Sequence, residues 1–383
     1  MISPPLRDQE NGEILQTLLD ESRPREITSY LRSLSAVERS SLVSHLKRLE
    51  QEKKSRGPVI ALKSCSGLIL AGAGIFESTP ELSVWIEMYG RDLRDNNGNS
   101  IIQLIVDMLC MRDRVWRSRL VRRLACLRSL SPDQVALILA VVGTSGGELP
   151  VTDRLVLGWV KANCRLAPKA IAPECMRLVS RIFAVRGTGR FLINRCGDGL
   201  TTAIAVAAHS PRIRAELLDS CLSAIGHPGS TADLRGYLAA YHALAPKLGE
   251  VELRLQRYVK FLGENQRSVA QLAQHELFRL HRSDRIRTEI WLRLTRTAFQ
   301  HPDRSTVLVQ LGQLTRVLTK EPSAVESGMH SLLSALTHHD REVVGCAQRV
   351  AGQFAQEASI RTRELLATAY HGSVARGHRE SRV

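Results

Sequence analysis

The sequence predicts an all-α protein: a HEAT-like α-solenoid of stacked antiparallel helix pairs wound into a right-handed superhelix. Three observations lead there. One apolar pattern is written three times between residues 252 and 354, at a period of 37: Leu255, Leu292 and Met329; Leu262, Phe299 and Leu336; Val269, Thr306 and Val343. The register continues through Ala270, Val307 and Val344, and through Leu280, Val317 and Phe354. A fixed period of this size marks helical hairpins that bury their faces against one another. Second, Leu and Ala are abundant while aromatics make up only 4%, which suits helix-on-helix packing. Third, alternating β-branched runs bounded by turns are almost absent.

The third copy displays the unit most clearly. Val325, Met329, Leu332, Leu333 and Leu336 fall at helical spacing on one face. Thr337-His338-His339 is a polar break, and Asp340 is placed to cap the next helix with its side-chain oxygen. The second helix then shows Val343, Val344, Ala347, Val350, Ala351 and Phe354 on one side. The earlier copies break at Gly263-Glu264-Asn265-Gln266 and at His301-Pro302-Asp303, the same place in the period. Neither helix of a pair can bury its stripe alone, so each pair must lean on the next.

Taken in order, residues 1–12 read as disordered, 13–200 as N-terminal helical repeats, 201–370 as the C-terminal HEAT-like repeats and 371–383 as a basic flexible tail. Helices are expected at about 13–20, 24–33 and 36–54, the last opened by Ser35 with Glu38 completing a capping box. Val59 to Phe76 is the most apolar stretch. Lys63 and several glycines make it a buried helix pair broken near Gly72-Ala73-Gly74 rather than a membrane span. A strongly apolar helix follows at 100–111, then an arginine-rich one at about 113–129. Ser131-Pro132-Asp133 opens the next, with proline at its favoured first position. From Arg212 the repeat returns: Ile213, Leu217, Cys221 and Ile225 face Leu234, Tyr237, Tyr241 and Leu244 across a Gly226-His227-Pro228-Gly229 break. Ile360 to Tyr370 reads as a last helix.

Chemistry-bearing motifs are thin. The loops at Gly143–Glu148, Arg186–Arg190 and Cys196–Gly199 lack a Gly-Lys-Ser/Thr and a preceding strand, so helix-ending turns account for their glycines better than phosphate binding. The 8 cysteines include no CxxC pair and most sit among apolar neighbours, which predicts reduced, buried thiols in a cytoplasmic protein. Of the 12 histidines the only dense group is His330, His338 and His339, which reads as surface turns. No metal or cofactor is expected, and no catalytic group is assigned.

The formal charge of +15 at a sequence pI near 9.9 admits two readings: arginine-rich solvated faces, or a basic surface for nucleic acid or another polyanion. The residues to watch are Arg112, Arg114, Arg117, Arg119, Arg122 and Arg123, around a stripe of Trp116, Leu120, Leu124 and Leu127. On a helical wheel these arginines fall on both flanks of that stripe, with stems able to cover apolar surface while their heads stay wet.

The runs Ser131 to Val160, Ala232 to Arg254, Glu264 to Ala273 and Leu292 to Gln310 resemble a family of uncharacterised bacterial proteins, a domain of unknown function with HEAT-like helical repeats. The resemblance spans most of residues 25–355 and implies that fold, with no catalytic residues to carry over. Members of that family generally extend further at the C-terminus. A second, fold-level likeness carried by the charge is to HEAT-like DNA glycosylases for alkylated bases, which use tryptophans; Trp85, Trp116, Trp159 and Trp291 do not map onto that family's motif. The expected function is a non-catalytic scaffold holding a protein or peptide partner on its concave surface, with nucleic-acid binding through the arginine-rich face as the alternative, an alkylbase DNA glycosylase-like enzyme as a lesser version of it, and no membrane partner.

Overall fold

The computed structural model describes residues 4–55, 65–95, 97–164, 175–193, 204, 208 and 210–369, with the side chains of 4–7, 53–55 and 65 excepted. Among these residues the architecture is all-helical, its one β feature an isolated bridge between Arg94 and Ser100. The chain gathers into two compact units, Met1–Ala224 with Pro228–Leu244, and Ile225–His227 with Ala245–Val383.

The first unit begins with α1 (Pro4–Asp20), α2 (Pro24–Ser33) and α3 (Ala36–Ser55). Helix α1 thus starts inside the stretch whose polar composition reads as disordered. What orders it is tertiary: the Tyr30 hydroxyl donates to Asn11 Oδ1 at 2.9 Å, and Gly12 lets the backbone lie directly on the His45 ring. The capping box at the head of α3 forms as its residues predict, with the Ser35 amide on Glu38 Oε2 at 2.8 Å.

Helices α4 (Cys65–Ile75) and α5 (Thr79–Tyr89) follow. Helix α4 runs unbroken through Gly72-Ala73-Gly74, against the expectation of a break there; residues 59–64 of that apolar stretch lie outside the described residues. The glycines serve close packing instead. A methyl group at Gly72 would meet the Trp85 indole at 2.7 Å, and one at Gly74 would meet Met108 at 2.7 Å. Burial on both sides recovers the helix propensity that two glycines forfeit.

Next come α6 (Ile102–Leu109), α7 (Arg114–Leu124), α8 (Pro132–Ser145), α9 (Asp153–Asn163) and the single turn α10 (Met176–Val179). Helices α2, α4, α6 and α8 pack in succession, and α5 packs on α7. The head of α8 carries a full capping box: Ser131 Oγ accepts the Gln134 amide, and Gln134 answers to the Ser131 amide. Its end is Gly146, left-handed at φ 57°, so of the stretch Gly143–Glu148 the first three residues are still helical and Gly146 makes the helix-ending turn. The Arg186–Arg190 loop has another purpose. Gly189 packs backbone to backbone on Gly236 of α12 (Thr231–Leu244), where any side chain would collide with a carbonyl. The buried Asp233 carboxylate then takes the Arg190 amide at 3.0 Å, the Arg190 guanidinium and the Ser230 hydroxyl. Burial pushes the Asp233 carboxyl up, but these donors together hold it below the usual aspartate value. Before α12 stands α11 (Pro211–Gly226); the Cys196–Gly199 loop lies outside the described residues.

The second unit contains the short α13 (Leu248–Glu252), then α14 (Leu255–Leu262) paired with α15 (Arg267–Arg282), α16 (Thr288–Phe299) with α17 (Arg304–Lys320), and α18 (Val325–Leu336) with α19 (Arg341–Phe354). A last helix, α20, spans residues 360–369. First helices touch first helices, α14 to α16 to α18, and second touch second, α15 to α17 to α19. Leu262, Phe299 and Leu336 are all buried, as are Leu280, Val317 and Phe354. Leu255, in the first of the three pairs, is only half-buried.

Polar joints repeat at the same period as the core. His301 Nε2 donates to the Glu264 carbonyl at 3.0 Å, and His338 Nε2 donates to the His301 carbonyl at 3.1 Å. Glu264, His301 and His338 stand 37 residues apart. In each turn the other imidazole nitrogen, Nδ1, accepts the amide of the helix-capping aspartate two residues on, Asp303 at 2.9 Å and Asp340 at 3.0 Å. That pattern requires the neutral ring with its proton on Nε2. So His338 is a staple between consecutive hairpins, where the sequence suggests only a surface turn. Asp340 caps α19 as expected, and Asp303 caps α17. Burial alone would raise the Asp303 carboxyl, yet Ser305, Thr306 and Arg267 bring it down to about 2. Ion pairs also bridge the hairpins, Arg267 to Asp303 at 3.8 Å and Arg304 to Glu342 at 2.5 Å. Helix α20 is docked by Glu326 of α18, which receives the Ser359 amide, the Thr362 hydroxyl and the Ser359 hydroxyl; these hold its carboxyl at about 2.

The tail 371–383 lies outside the described residues. No helix among those described is long and apolar enough to cross a membrane. The six described cysteines are free, but Cys110 and Cys126 are exposed and only Cys175 and Cys221 are buried, fewer than their apolar neighbours suggest.

The staple makes stability depend on pH. Burial, helped by the His339 ring, outweighs the His301 carbonyl and holds the His338 imidazole below its usual 6.5. A depressed folded value means that the contribution is complete above pH 6.5 and is lost as pH falls through the lowered value. Thermal melts followed by circular dichroism should therefore shift downward on going from neutral to mildly acidic buffer. His338→Ala should cost about 1 kcal/mol at neutral pH and flatten that dependence. An unchanged pH profile in the variant would remove the staple from the account.

Candidate functional site

Helix α7 exists because Asp113 caps it, accepting the Trp116 amide at 2.8 Å, and because Leu120, Val121 and Leu124 form one buried stripe. That stripe packs on α5 and α8. The orientation divides the six arginines singled out above into two groups.

Three are engaged by the fold, Arg112 and Arg117 half-buried and Arg114 from an exposed position. Arg112 is half-buried and its guanidinium donates to the Gly74 carbonyl at 3.4 Å and the Phe76 carbonyl at 3.2 Å, at the carboxyl end of α4. It also lies 5.7 Å from the centre of the Trp116 ring, and burial lowers its pKa from the usual value. Arg114 donates to the Gly146 carbonyl at 2.7 Å, at the end of α8. Arg117 is half-buried, with its Nε enclosed. A cation at a helix C-terminus meets both the orphan carbonyls and the negative end of the dipole.

The other three stand free. Arg119, Arg122 and Arg123 are exposed, and among the described residues none has a carboxylate within 4.0 Å. Arg122 Nε reaches only the Ser118 carbonyl of its own helix, at 3.4 Å. With the exposed Val115 and Cys126 they occupy a single solvent-facing stripe at i, i+4, i+7, i+8 and i+11. This corrects the view that the arginines flank an apolar stripe on both sides: once the structural three are removed, the rest form one ridge. Like charges at i, i+3 and i, i+4 oppose helix formation by about 0.2–0.5 kcal/mol per pair, so the fold gains nothing from this ridge. It is a surface suited to phosphates or carboxylates supplied from outside.

The other polar clusters are committed to structure. Thr362, His330 and Glu326 place a hydroxyl, an imidazole and a carboxylate together, but Thr362 is buried and its hydroxyl is given to Glu326. His281 stacks on Trp291 at 5.1 Å inside the second unit. Among the described residues no three His, Cys, Asp or Glu side chains converge as metal ligands do. Of the four tryptophans, Trp85, Trp159 and Trp291 are buried, and Trp116 is half-buried with its Nε1 on the Glu77 carbonyl at 2.6 Å. The three buried rings present no open face on which a base could stack. The chain matches no protein-family model and no curated protein.

The two groups of arginines should separate in a stability measurement. Arg112→Ala strands part-buried helix-end carbonyls and should cost about 1–3 kcal/mol in urea unfolding, whereas Arg114→Ala leaves an exposed carbonyl to water and should cost about 0.5–1.5 kcal/mol. Arg119→Ala, Arg122→Ala and Arg123→Ala should each stay within about 0.5 kcal/mol of wild type. A large loss in the second group would mean the ridge is structural.

Proposed function

We propose that this chain is a non-catalytic scaffold, a HEAT-like α-solenoid whose antiparallel helix pairs follow a right-handed superhelix and hold a protein or peptide partner on the concave side. One observation carries the reading: in the second unit, like helices touch like and the His301 and His338 staples recur at the 37-residue period of the core. Such hairpin arrays expose extended surfaces that are rigid along their length, which suits holding a partner better than enclosing a small substrate. The likeness of residues 131–160 and 232–254 to a HEAT-like bacterial family supports the same architecture. Its test is affinity purification of the full chain from nuclease-treated extract. A protein recovered in stoichiometric amount is the expected outcome, and its absence would discard the scaffold.

A second reading has its own observation, the ridge of Arg119, Arg122 and Arg123, which has no carboxylate partner among the described residues. It makes the chain a nucleic-acid-binding protein that engages phosphates without reading bases. The glycosylase-like version draws no support from the buried Trp85, Trp159 and Trp291. Gel-shift titrations at several salt concentrations check the ridge. Replacing the three arginines with alanine should flatten the slope of log affinity against log salt by about 2–3, because every arginine removed leaves one phosphate's counterion in place on binding. Equal slopes for both proteins would exclude the ridge as the binding surface.

A further inference from the structure

In the second unit α15, α17 and α19 lie side by side, and their buried stripes fix which residues they turn outward. The outward positions repeat in register: His275, Gly312 and Arg349 stand 37 residues apart, and so do Arg279, Arg316 and Gln353. Three exposed arginines, Arg282, Arg316 and Arg349, cross this face obliquely. Arg316 falls three residues short of one period beyond Arg282, and Arg349 falls four short of one beyond Arg316. Positions so related share a helical face, so each cation stands on the same side, one turn nearer the amino end than the last. A turn rises about 5.4 Å and packed helices lie about 8–10 Å apart, which makes each step of the diagonal roughly 10 Å.

Among the described residues, which here run unbroken from 210 to 369, no ion pair holds these three cations. Their one side-chain contact is that of Arg349 with the Cys346 sulfur, at 2.9 Å. The three helices carry two carboxylates, and both are taken. Glu276 is buried and held by Arg279 at 2.6 Å, and Glu342, in the first turn of α19, is held by Arg304. Asp284, in the turn after α15, forms no ion pair with Arg282. Between the arginines the face is apolar and low. Val309 is 45% exposed, and Leu308 and Phe278 are half-buried. A methyl group at Gly312, Gly345 or Gly352 would meet nothing within 4 Å, so packing does not ask for these glycines as it does for Gly72 and Gly74. Each weakens its helix relative to alanine and leaves bare backbone at the surface.

We infer that this face of α15, α17 and α19 is the docking surface for an extended acidic segment of a partner protein. Its carboxylates meet Arg282, Arg316 and Arg349 in turn, and apolar side chains between them lie on Val309 and over Gly312. The inference rests on the scaffold reading above and names the surface and its partner's chemistry. Charge complementarity selects the occupant, and the spacing agrees. A polyproline-like chain rises about 3.1 Å per residue with three residues per turn, so every third side chain recurs on one side after about 9 Å. That matches the step of the diagonal. A duplex strand instead sets a phosphate about every 3.4 Å along its axis, so cations roughly 10 Å apart would leave most of its charge unmet. The apolar strip would also go unused.

Panning phage-displayed peptides of roughly twelve residues on the full chain tests this directly, since that length in extended form crosses all three helices. Enriched sequences should combine Asp or Glu with apolar residues. Their affinity should fall about tenfold or more in the double variant Arg316→Glu, Arg349→Glu, where like charges face each other. Both positions are exposed, so circular dichroism should confirm that the variant is folded. Gly312→Leu should weaken binding as much while melting no lower than wild type, because leucine is the better helix former and enters open space. Replacing Arg119, Arg122 and Arg123 with alanine should leave the same peptides bound as tightly. Basic enriched sequences, no enrichment, binding unchanged by the charge reversal, or binding lost with the α7 arginines would overturn the inference. So would a single-stranded oligonucleotide released by the charge reversal when no acidic peptide is enriched, which would give the face to nucleic acid. A natural partner recovered equally by wild type and the double variant would sink this surface and spare the scaffold. Partner loss confined to the double variant would support both.

Discussion

A protein built from short helices alone has an unusual number of carboxyl ends, each leaving carbonyls that a helix cannot satisfy. Here arginine supplies the donors across helices. Arg39 serves the end of α2 through the Leu31 and Leu34 carbonyls, Arg112 the end of α4, and Arg114 the end of α8. Arg154 reaches the Cys126 carbonyl just past α7, Arg214 the Leu244 carbonyl of α12, and Arg279 the Pro246 carbonyl. The long stem lets the guanidinium cross from one helix to the next, and its charge meets the negative end of the dipole. Part of the basic character of the chain is therefore architectural. Net charge by itself says little about partners; what matters is which cations are left over.

The helical class and the 37-residue period were legible because burial writes itself along the chain: Leu262, Phe299 and Leu336 are apolar for the same reason at each turn of the pattern. Caps were legible too, as at Ser35 and Asp340, because they act within three residues. What the sequence concealed was the set of interactions made over a long separation. Arg114 and Arg119 are the same residue type on one helix, and only the position of Gly146, 32 residues from Arg114, makes the first a structural group. Gly72 and Gly74 look like helix breakers until Trp85 and Met108 are placed against them. His301 and His338 look like turn residues until the preceding turn is set beside each. Val309 gave no local sign, since an apolar residue on a helix is expected to be buried.

The histidine staples have an implication for how such a chain lengthens. His338 bonds to the backbone of His301, and His301 to that of Glu264, so each joint asks of its predecessor only a carbonyl at the same point of the turn. A carbonyl is supplied by any amino acid. An in-frame duplication of one 37-residue segment would thus arrive with both halves of its seam already encoded, needing no second mutation to fit. The coupling chemistry is generic on one side and specific on the other, which is the property a coupling needs if the number of links is to vary while the link itself stays the same.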